Sequence, residues 1–273
     1  MRLILRNLGY VLIISAFFRI PPFIAALIFK ENVLLLTLST IITLLGGGLL
    51  LLIRKGEEET MRLSQGFVLT ALSFITLSLI GSISFMEIFN WNFANALFES
   101  VSGFTTTGLT MLKNIEALPK TLLLWRAETQ WIGGLGIVMF FLFILSRLKS
   151  PTYKKEKERT QSINTLYKAQ GISENFSSMR HTIFTIIKIY FIYTAAGILL
   201  LWLAKIPLFE AISIAFTSIS TGGFTVTNTF YSNWLQLSII TLLMLAGATS
   251  FVFHANLFKG KIKEFFRNME RKV

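Results

Sequence analysis

The chain has 273 residues and a net charge of +12, with 53% hydrophobic and only 15% charged residues. Soluble domains carry about 25% charged residues, so this composition argues against a soluble enzyme and indicates a protein whose solvent is largely lipid. The sequence has no cysteine and no aspartate. This excludes disulfides, cysteine zinc sites and thiol catalysis, and also a pump that forms an aspartyl phosphate.

Six apolar segments are long enough to span a bilayer, which needs about 20 residues per helix. In chain order they are residues 10–29, 33–53, 63–86, 129–146, 182–204 and 235–253. The first contains Arg19, Pro21 and Pro22, and the prolines predict a kink or break there. We expect Arg19 to bind the backbone carbonyls that such a break leaves free.

Two other apolar segments, 91–104 and 207–219, are too short to span and are typical of re-entrant helices. Asn90 can cap the first, and Pro207 suits the first turn of the second. Each segment runs into a loop rich in threonine and glycine. The sequence therefore predicts an all-α polytopic membrane protein with six transmembrane helices and two re-entrant pore helices.

The basic residues are distributed unevenly between the two sides of the predicted topology. With the N-terminus inside, 19 of the 26 lysines and arginines lie in segments 1–9, 54–62, 147–181 and 258–273. This agrees with the positive-inside rule. We therefore expect a multi-pass protein of the cell (plasma) membrane with both termini cytosolic. The basic charge is explained by the lipid bilayer, and no nucleic-acid partner is expected.

The sequence after residue 62 contains an internal repeat. A shift of 115 residues aligns WNFANALFESVSGFTTTGL (91–109) with IPLFEAISIAFTSISTGGF (206–224). Thr106 then falls on Thr221 and Gly108 on Gly223. With a small gap, Gly134 meets Gly247. Both units begin and end on the same side, so they are predicted to be parallel repeats with a pore-loop topology.

The loops that follow the two short helices are predicted to bind an ion. Non-helical backbone at membrane depth must be buried in protein or line water, and glycine permits the positive φ that turns carbonyls toward one axis. Rings of carbonyls replace the hydration shell of K⁺. Ordinary helix-connecting loops are the alternative, but two matched loops favour a pore. The predicted ion-binding carbonyls are those of Thr105, Thr106, Thr107, Gly108, Ser220, Thr221, Gly222 and Gly223.

Three motifs give the chain a family resemblance: ALFESVSGFTTTGLT (96–110), QWIGGLGI (130–137) and STGGF (220–224). Together they resemble the Trk/Ktr/HKT superfamily of K⁺ transporters, closest to its prokaryotic TrkH branch, over essentially the whole chain. The resemblance implies a K⁺-channel-like pore of four helix–pore loop–helix repeats, with Gly108 and Gly223 as two of the four filter glycines. Some Na⁺-carrying relatives have serine at the first position, so Gly108 favours K⁺ as the transported ion.

The chain has two such repeats where the family has four, so it resembles an N-terminal half. We expect a truncated product that needs the missing C-terminal half; assembly with a second copy is the alternative. The resemblance also implies contact between residues 148–179 and a cytosolic nucleotide-binding regulatory subunit.

The expected organisation has five parts. Residues 1–53 form an N-terminal helix pair, 63–147 the first repeat, 148–180 a basic cytosolic linker, 181–258 the second repeat and 259–273 a basic cytosolic tail.

Two charged residues are predicted to support the filter. Glu99 lies among apolar residues of the first short helix, where an acid is costly to bury without a partner. Arg126 precedes the QWIGG motif and can pair with an outer acid, although an arginine reaching the membrane surface is an equal alternative. Gly133, Gly134 and Gly136 are expected to allow close helix packing.

Two other functional classes remain as alternatives. A non-conducting accessory or assembly protein would share the membrane topology without ion dependence. An intramembrane serine protease would need Ser102 as nucleophile and His254 as base, but the topology places these on opposite faces, beyond hydrogen-bond reach. No enzymatic activity and no cofactor are expected.

Overall fold

The computed structural model describes residues 1–53, 61–148, 179–229, 231–249 and 253–254. The predicted tail 259–273 and nearly all of the predicted linker lie outside these ranges. Within them the chain forms nine α-helices and one short 3-10 turn, Glu87–Phe89. The helices are α1 (Arg2–Phe17), α2 (Ile20–Phe29), α3 (Leu34–Leu51), α4 (Leu63–Ile83), α5 (Phe93–Phe104), α6 (Lys120–Leu148), α7 (Met179–Leu203), α8 (Leu208–Ile219) and α9 (Trp234–Ala248).

Four stretches of the described chain are long and apolar enough to cross a membrane: Arg2–Phe29, Leu34–Leu51, Leu63–Ile83 and Phe184–Leu203. They support the predicted class of all-helical membrane protein, while the count of six spanning helices stays a prediction. Helix α6 begins nine residues before the predicted span at 129. Its first turns carry buried polar residues that pack against protein, and a search for apolar runs therefore misses them.

The first apolar segment is broken between α1 and α2. Pro21 and Pro22 lie at the start of α2, where the missing N–H group is tolerated. Proline rings in the helix interior would clash with the carbonyls four residues earlier. Helix α1 therefore ends at Phe17, just before the prolines, as the kink-or-break prediction supposed.

Arg19, at this break, is completely buried and contacts side chains instead of the freed carbonyls that we expected it to bind. Its Nη1 donates to Thr43 Oγ1 at 2.9 Å, and its guanidinium lies 4.8 Å from the ring centre of Trp125. It is also attracted by the buried carboxylate of Glu128. Arg19 therefore joins α3 and α6 across the break.

The N-terminal helices pack closely on each other and on the first repeat. A side chain at Gly9 of α1 would place its Cβ 2.9 Å from the carbonyl oxygen of Gly47 in α3, so small residues allow this approach. The carboxylate of Glu31, just after α2, accepts the N–H groups of Lys120 and Thr121 at 2.8 Å each. An acid at this position satisfies two N–H groups that have no partner within α6, and its negative charge interacts favourably with the positive N-terminal end of the helix.

The two short helices repeat with the predicted offset. Helices α5 and α8 each have 12 residues, and both their starts and their ends lie 115 residues apart. The cap of α5 differs from the prediction, because the side chain of Asn92 accepts the N–H of Asn95 at 3.2 Å. Asn90 instead ends the 3-10 turn in a left-handed conformation, which asparagine tolerates well.

Each short helix ends against a glycine of the long helix that follows it. A Cβ at Gly133 would overlap the carbonyl oxygen of Phe104, and a Cβ at Gly247 would overlap that of Ile219. Gly133, and not Gly134, is therefore the structural counterpart of Gly247. Gly134 packs against the second loop, since its Cβ would lie 2.9 Å from Ser220 Cβ, whereas Gly136 has open space around it.

The two repeats meet along α6 and α7. Trp131 Nε1 donates to Thr194 Oγ1 at 3.0 Å, and the hydroxyl of Tyr190 donates to the carbonyl of Trp131 at 3.0 Å. All three side chains are buried. These contacts place the first residues of the QWIGG motif beside both loops.

Candidate functional site

The two loops share one backbone conformation at corresponding positions. Thr106 and Thr221 have φ of 55° and 54°, and Gly108 and Gly223 have φ of 79° and 84°. Glycine adopts positive φ readily, but a β-branched threonine there is an outlier. Such strain persists only where the surroundings impose it, and it concentrates at functional sites.

The hydrogen bonds that end the two short helices also match. Thr106 N donates to Gly103 O at 3.0 Å, and Thr107 N donates to Ser102 O at 2.9 Å. At the corresponding places Thr221 N donates to Ser218 O at 3.0 Å, and Gly222 N donates to Thr217 O at 2.8 Å. This pair of bonds around a left-handed residue is a Schellman motif. Both loops therefore leave their helices along the same path.

The loops of the two repeats touch each other. A Cβ at Gly108 would overlap the carbonyl oxygen of Gly222 and lie 3.5 Å from the Cα of Gly223. Within the described chain, nothing lies within 4 Å of the position that a Cβ would take at Gly223. The two positive-φ glycines therefore have different surroundings: Gly108 lies against the other loop, and Gly223 borders open space.

Gln130, on α6 of the first repeat, binds the loop of the second. Its Nε2 donates to the carbonyl of Gly222 at 2.8 Å, and its Oε1 accepts the N–H of Phe224 at 3.1 Å. The side chain is completely buried. The hydroxyl of Thr221 donates to Ser220 O at 2.7 Å. Two of the eight carbonyls predicted to bind an ion, those of Gly222 and Ser220, thus accept side-chain hydrogen bonds.

Glu99 and Arg126 form a buried ion pair behind the first loop. Arg126 Nε donates to Glu99 Oε1 at 2.7 Å, and Arg126 Nη2 lies 2.7 Å from the same oxygen. Both side chains are at most 1% exposed, so Arg126 does not extend to the membrane surface. The carboxylate also accepts the hydroxyl of Thr110 at 2.9 Å and the N–H of Met111 at 3.3 Å, which satisfies its remaining oxygen.

Arg126 also reaches the second repeat. Its Nη1 donates to the carbonyl of Thr225 at 3.2 Å, and its guanidinium lies 4.1 Å from the ring centre of Phe224. One arginine therefore contacts the first short helix and the segments that follow both loops. Arg126 and Gln130 lie four residues apart, on one face of α6.

The segments that follow the two loops are joined through Asn228. Its side-chain oxygen accepts Ile115 N–H at 2.7 Å, its amide donates to Asn114 Oδ1 at 2.8 Å, and its backbone N–H donates to Glu116 Oε1 at 2.9 Å.

A further hydrogen bond joins Tyr231, in the segment that follows the second loop, to Glu210 at the start of α8. The Tyr231 hydroxyl donates to the Glu210 carboxylate. Burial and the nearby Glu210 raise the pKa of Tyr231 above its ordinary value, so this hydroxyl keeps its proton.

The residues of the protease alternative do not form a dyad. Ser102 Oγ donates to Leu109 O at 2.6 Å. His254 Nδ1 is hydrogen-bonded to the Tyr193 hydroxyl at 2.8 Å, and its Nε2 lies 3.0 Å from Ala246 O. Each side chain therefore has partners of its own.

Sequence reasoning gave no role to Gln130, Asn228 or Glu31, all of which bind backbone N–H groups of another unit. The sequence does contain a signal that Gln130 has a structural role. A glutamine in an apolar helix is costly to bury without partners, and this one follows Arg126 by one helical turn.

The apolar helices and the matched helix–loop–helix repeats define an all-helical membrane protein. A family model described as a cation transport protein, TrkH, matches residues 34–272. The chain therefore belongs to the TrkH family.

Relatives agree with this assignment. The chain is 33% identical over 273 residues to an uncharacterized cation transporter of Methanocaldococcus jannaschii, with 98% of this chain and 54% of the relative covered. It is 29% identical over 281 residues to the Trk system potassium uptake protein TrkH of Salmonella typhimurium, with coverages of 98% and 56%.

The crystal structure of the potassium transporter TrkH from Vibrio parahaemolyticus is similar to this chain at 25% identity with a TM-score of 0.79, over 97% of this chain and 53% of that chain. The chain thus spans about half the length of the relatives that it matches.

Proposed function

We propose that this chain carries K⁺ across the cell membrane, with the loops 105–108 and 220–223 contributing to a selectivity filter. The observation that carries the proposal is the matched pair of loops. At an offset of 115 residues they repeat the left-handed threonine, the positive-φ glycine and the hydrogen bonds that lead into them.

The chemistry of a filter fits these loops. Dehydrating K⁺ requires a ring of oxygens that replaces its water shell, and backbone carbonyls provide these without a full negative charge. Where residues with negative and positive φ alternate along the backbone, successive carbonyls turn toward a common side. The C-terminal ends of α5 and α8 point to the same region, and each carries about half a negative charge that favours a cation.

Not all eight carbonyls have the same role in this proposal. That of Gly222 holds the two repeats together through Gln130. That of Ser220 accepts the Thr221 hydroxyl. The other six, including those of Gly108 and Gly223, are the candidates for the ion. The open space beside Gly223 is where the ion path would lie.

The pore needs more than this chain provides, because two loops do not surround an ion. The chain spans about half of its relatives, so two further pore loops would come from a C-terminal half or from a second copy. The proposal also keeps the plasma-membrane location, the cytosolic termini and a cytosolic regulatory subunit that binds nucleotide and contacts residues 148–179, nearly all of which lie outside the described part of the chain.

The test is K⁺ uptake by a strain that lacks its own uptake systems. The chain is expressed alone or together with a segment that supplies two further pore loops, and uptake of K⁺ and Na⁺ is measured at equal membrane abundance. We expect K⁺-selective uptake only from the combination. Uptake by the chain alone would show that copies of it complete the pore, and no uptake from either arm would contradict the proposal.

A further inference from the structure

A cavity of about 740 Å³ lies between α1, α4 and α6. Its volume is in the range of small-molecule sites in proteins. Phe104 and Gly133 line one end, at the depth where the first short helix stops, and Leu3 and Met61 line the other end. None of the residues predicted to bind the ion lines it, so this space is separate from the proposed filter.

The cavity has the length of one membrane leaflet. On α1 it extends from Leu3 to Phe18, which is about 22 Å at 1.5 Å per residue. Half of a bilayer, with its headgroup region, measures about 20–22 Å. Because the basic residues place the start of α1 in the cytosol, the cavity runs alongside the cytosolic leaflet.

Four of the polar residues in its walls already donate hydrogen bonds within their own helices. The hydroxyls of Ser15, Thr70 and Ser73 donate to carbonyls of their own helices at 2.7–3.0 Å. The Asn7 amide likewise donates to Leu3 O at 2.7 Å. The remaining wall is mainly aliphatic and aromatic. Such a surface suits hydrocarbon better than water or an ion.

One charge lies at the headgroup end. Among the described residues that line the cavity, Arg6 is the single charged one, and it is half-buried in the second turn of α1. A guanidinium presents a planar fork of donors that matches phosphate. We propose that this cavity binds an acyl chain of an anionic phospholipid from the cytosolic leaflet, with the phosphate at Arg6.

The experiment measures bound lipid on the purified full chain by native mass spectrometry, after extraction from bilayers of equal phosphatidylglycerol and phosphatidylcholine. Gly136→Leu fills the cavity, because a Cβ at Gly136 meets nothing within 4 Å. Gly48→Leu is the matched control, since a Cβ there also meets nothing and Gly48 does not line the cavity. Arg6→Gln removes the phosphate partner, and the exposed Arg2→Gln is its control.

We expect phosphatidylglycerol to be retained by the unaltered chain and by both controls. Arg6→Gln should weaken retention on the order of tenfold, as expected for a lost charged hydrogen bond, and Gly136→Leu should abolish it. If Gly136→Leu does not fold, Ser73→Leu fills the same space from α4. Equal retention of the two lipids, or unchanged retention in a folded cavity-filling variant, overturns the proposal. Ion flux is not measured, so failure here is independent of the proposed transport.

Discussion

The side-chain amide of Gln130 in the first repeat donates to the backbone carbonyl of Gly222 in the second, over 2.8 Å. The same side chain accepts the N–H of Phe224, so it fixes two peptide groups of a loop more than 90 residues later. A Cβ at Gly222 would overlap this side chain. Glycine at 222 therefore provides the space that the contact between repeats requires.

Replacing Gln130 should disturb the second loop without unfolding the chain. Gln130→Glu keeps the shape but loses the donor and places an acceptor against the Gly222 carbonyl. An unsatisfied buried neutral group costs about 1–3 kcal/mol, and a buried carboxylate costs more. We expect a lower K⁺/Na⁺ uptake ratio at similar abundance in the completed transporter.

The control for Gln130 is Gln236→Glu. Gln236 also donates its amide to a backbone carbonyl, that of Ala204 at 2.9 Å, but it lies at the start of α9 and forms no hydrogen bond with either loop in the described structure. It should leave the ratio unchanged. Equal effects of the two substitutions would argue against a specific role of Gln130 at the loop.

The Glu99–Arg126 pair should support both repeats. Removing one partner leaves the other charge buried, which costs about 3–5 kcal/mol. We expect Glu99→Gln and Arg126→Gln each to lower the thermal unfolding temperature in detergent. Arg126→Lys should recover little, because an ammonium does not reproduce the contacts to Glu99 and Thr225 together. Stability in Arg126→Lys equal to that of the unaltered chain would show that charge alone suffices.

Gly108 and Gly223, the glycines of the proposed filter, should differ in their tolerance of alanine. At both, an L residue at positive φ costs about 1–2 kcal/mol. At Gly108 the added Cβ also overlaps the Gly222 carbonyl, whereas at Gly223 it meets open space. Gly223→Ala should therefore keep membrane abundance and lose K⁺ preference, while Gly108→Ala should lose both.

Gly48→Ala is the matched control for both glycines, because its Cβ has open space and its φ is not in the positive range. A substitution at Gly134, the other glycine near the loops, would not serve as a control for ion preference, because the added Cβ would press on Ser220 in the second loop. An unchanged K⁺/Na⁺ ratio in Gly223→Ala would remove this loop from the filter.

Arg19 and Glu128 should behave as an energetically coupled pair. Both are buried, and Arg19 Nε, Arg19 Nη2 and Glu128 Oε2 have no hydrogen-bond partner within the described structure. Arg19→Gln or Glu128→Gln removes one side of the attraction between two buried groups, so each single variant should unfold more easily than the unaltered chain. The double variant should cost less than the sum of the two. Additive unfolding free energies in this double-mutant cycle would show that the two charges do not interact.

The topology can be tested on the cysteine-free sequence. Lys113→Cys lies in the exposed segment after the first loop and should react with an impermeant thiol reagent from outside. Arg2→Cys, at the N-terminus, should react only after the membrane is permeabilised. Residue 165, beyond the described residues, should behave like Arg2. Labelling of Arg2→Cys in intact cells would reverse the orientation.

Much of the architecture could be read from the sequence because it depends on local properties. Apolar runs predict helices in lipid, and paired prolines end α1 wherever it packs. The 115-residue repeat predicted the matched positions of Gly108 and Gly223, because the same backbone path needs small or tolerant residues at the same places. Family membership followed from these same motifs.

The contacts between units were decided only by the tertiary structure. Gln130 and Gly222, Arg19 and Glu128, and Glu31 and the start of α6 are brought together by the packing of helices that are distant in sequence. No periodicity encodes which buried polar group meets which, since a hydrogen bond depends on a few tenths of an ångström in helix position. The cap of α5 is a further example. Asn90 closes the 3-10 turn that precedes α5, and so Asn92, two residues later, caps the helix. Only the folded chain sets where that turn ends.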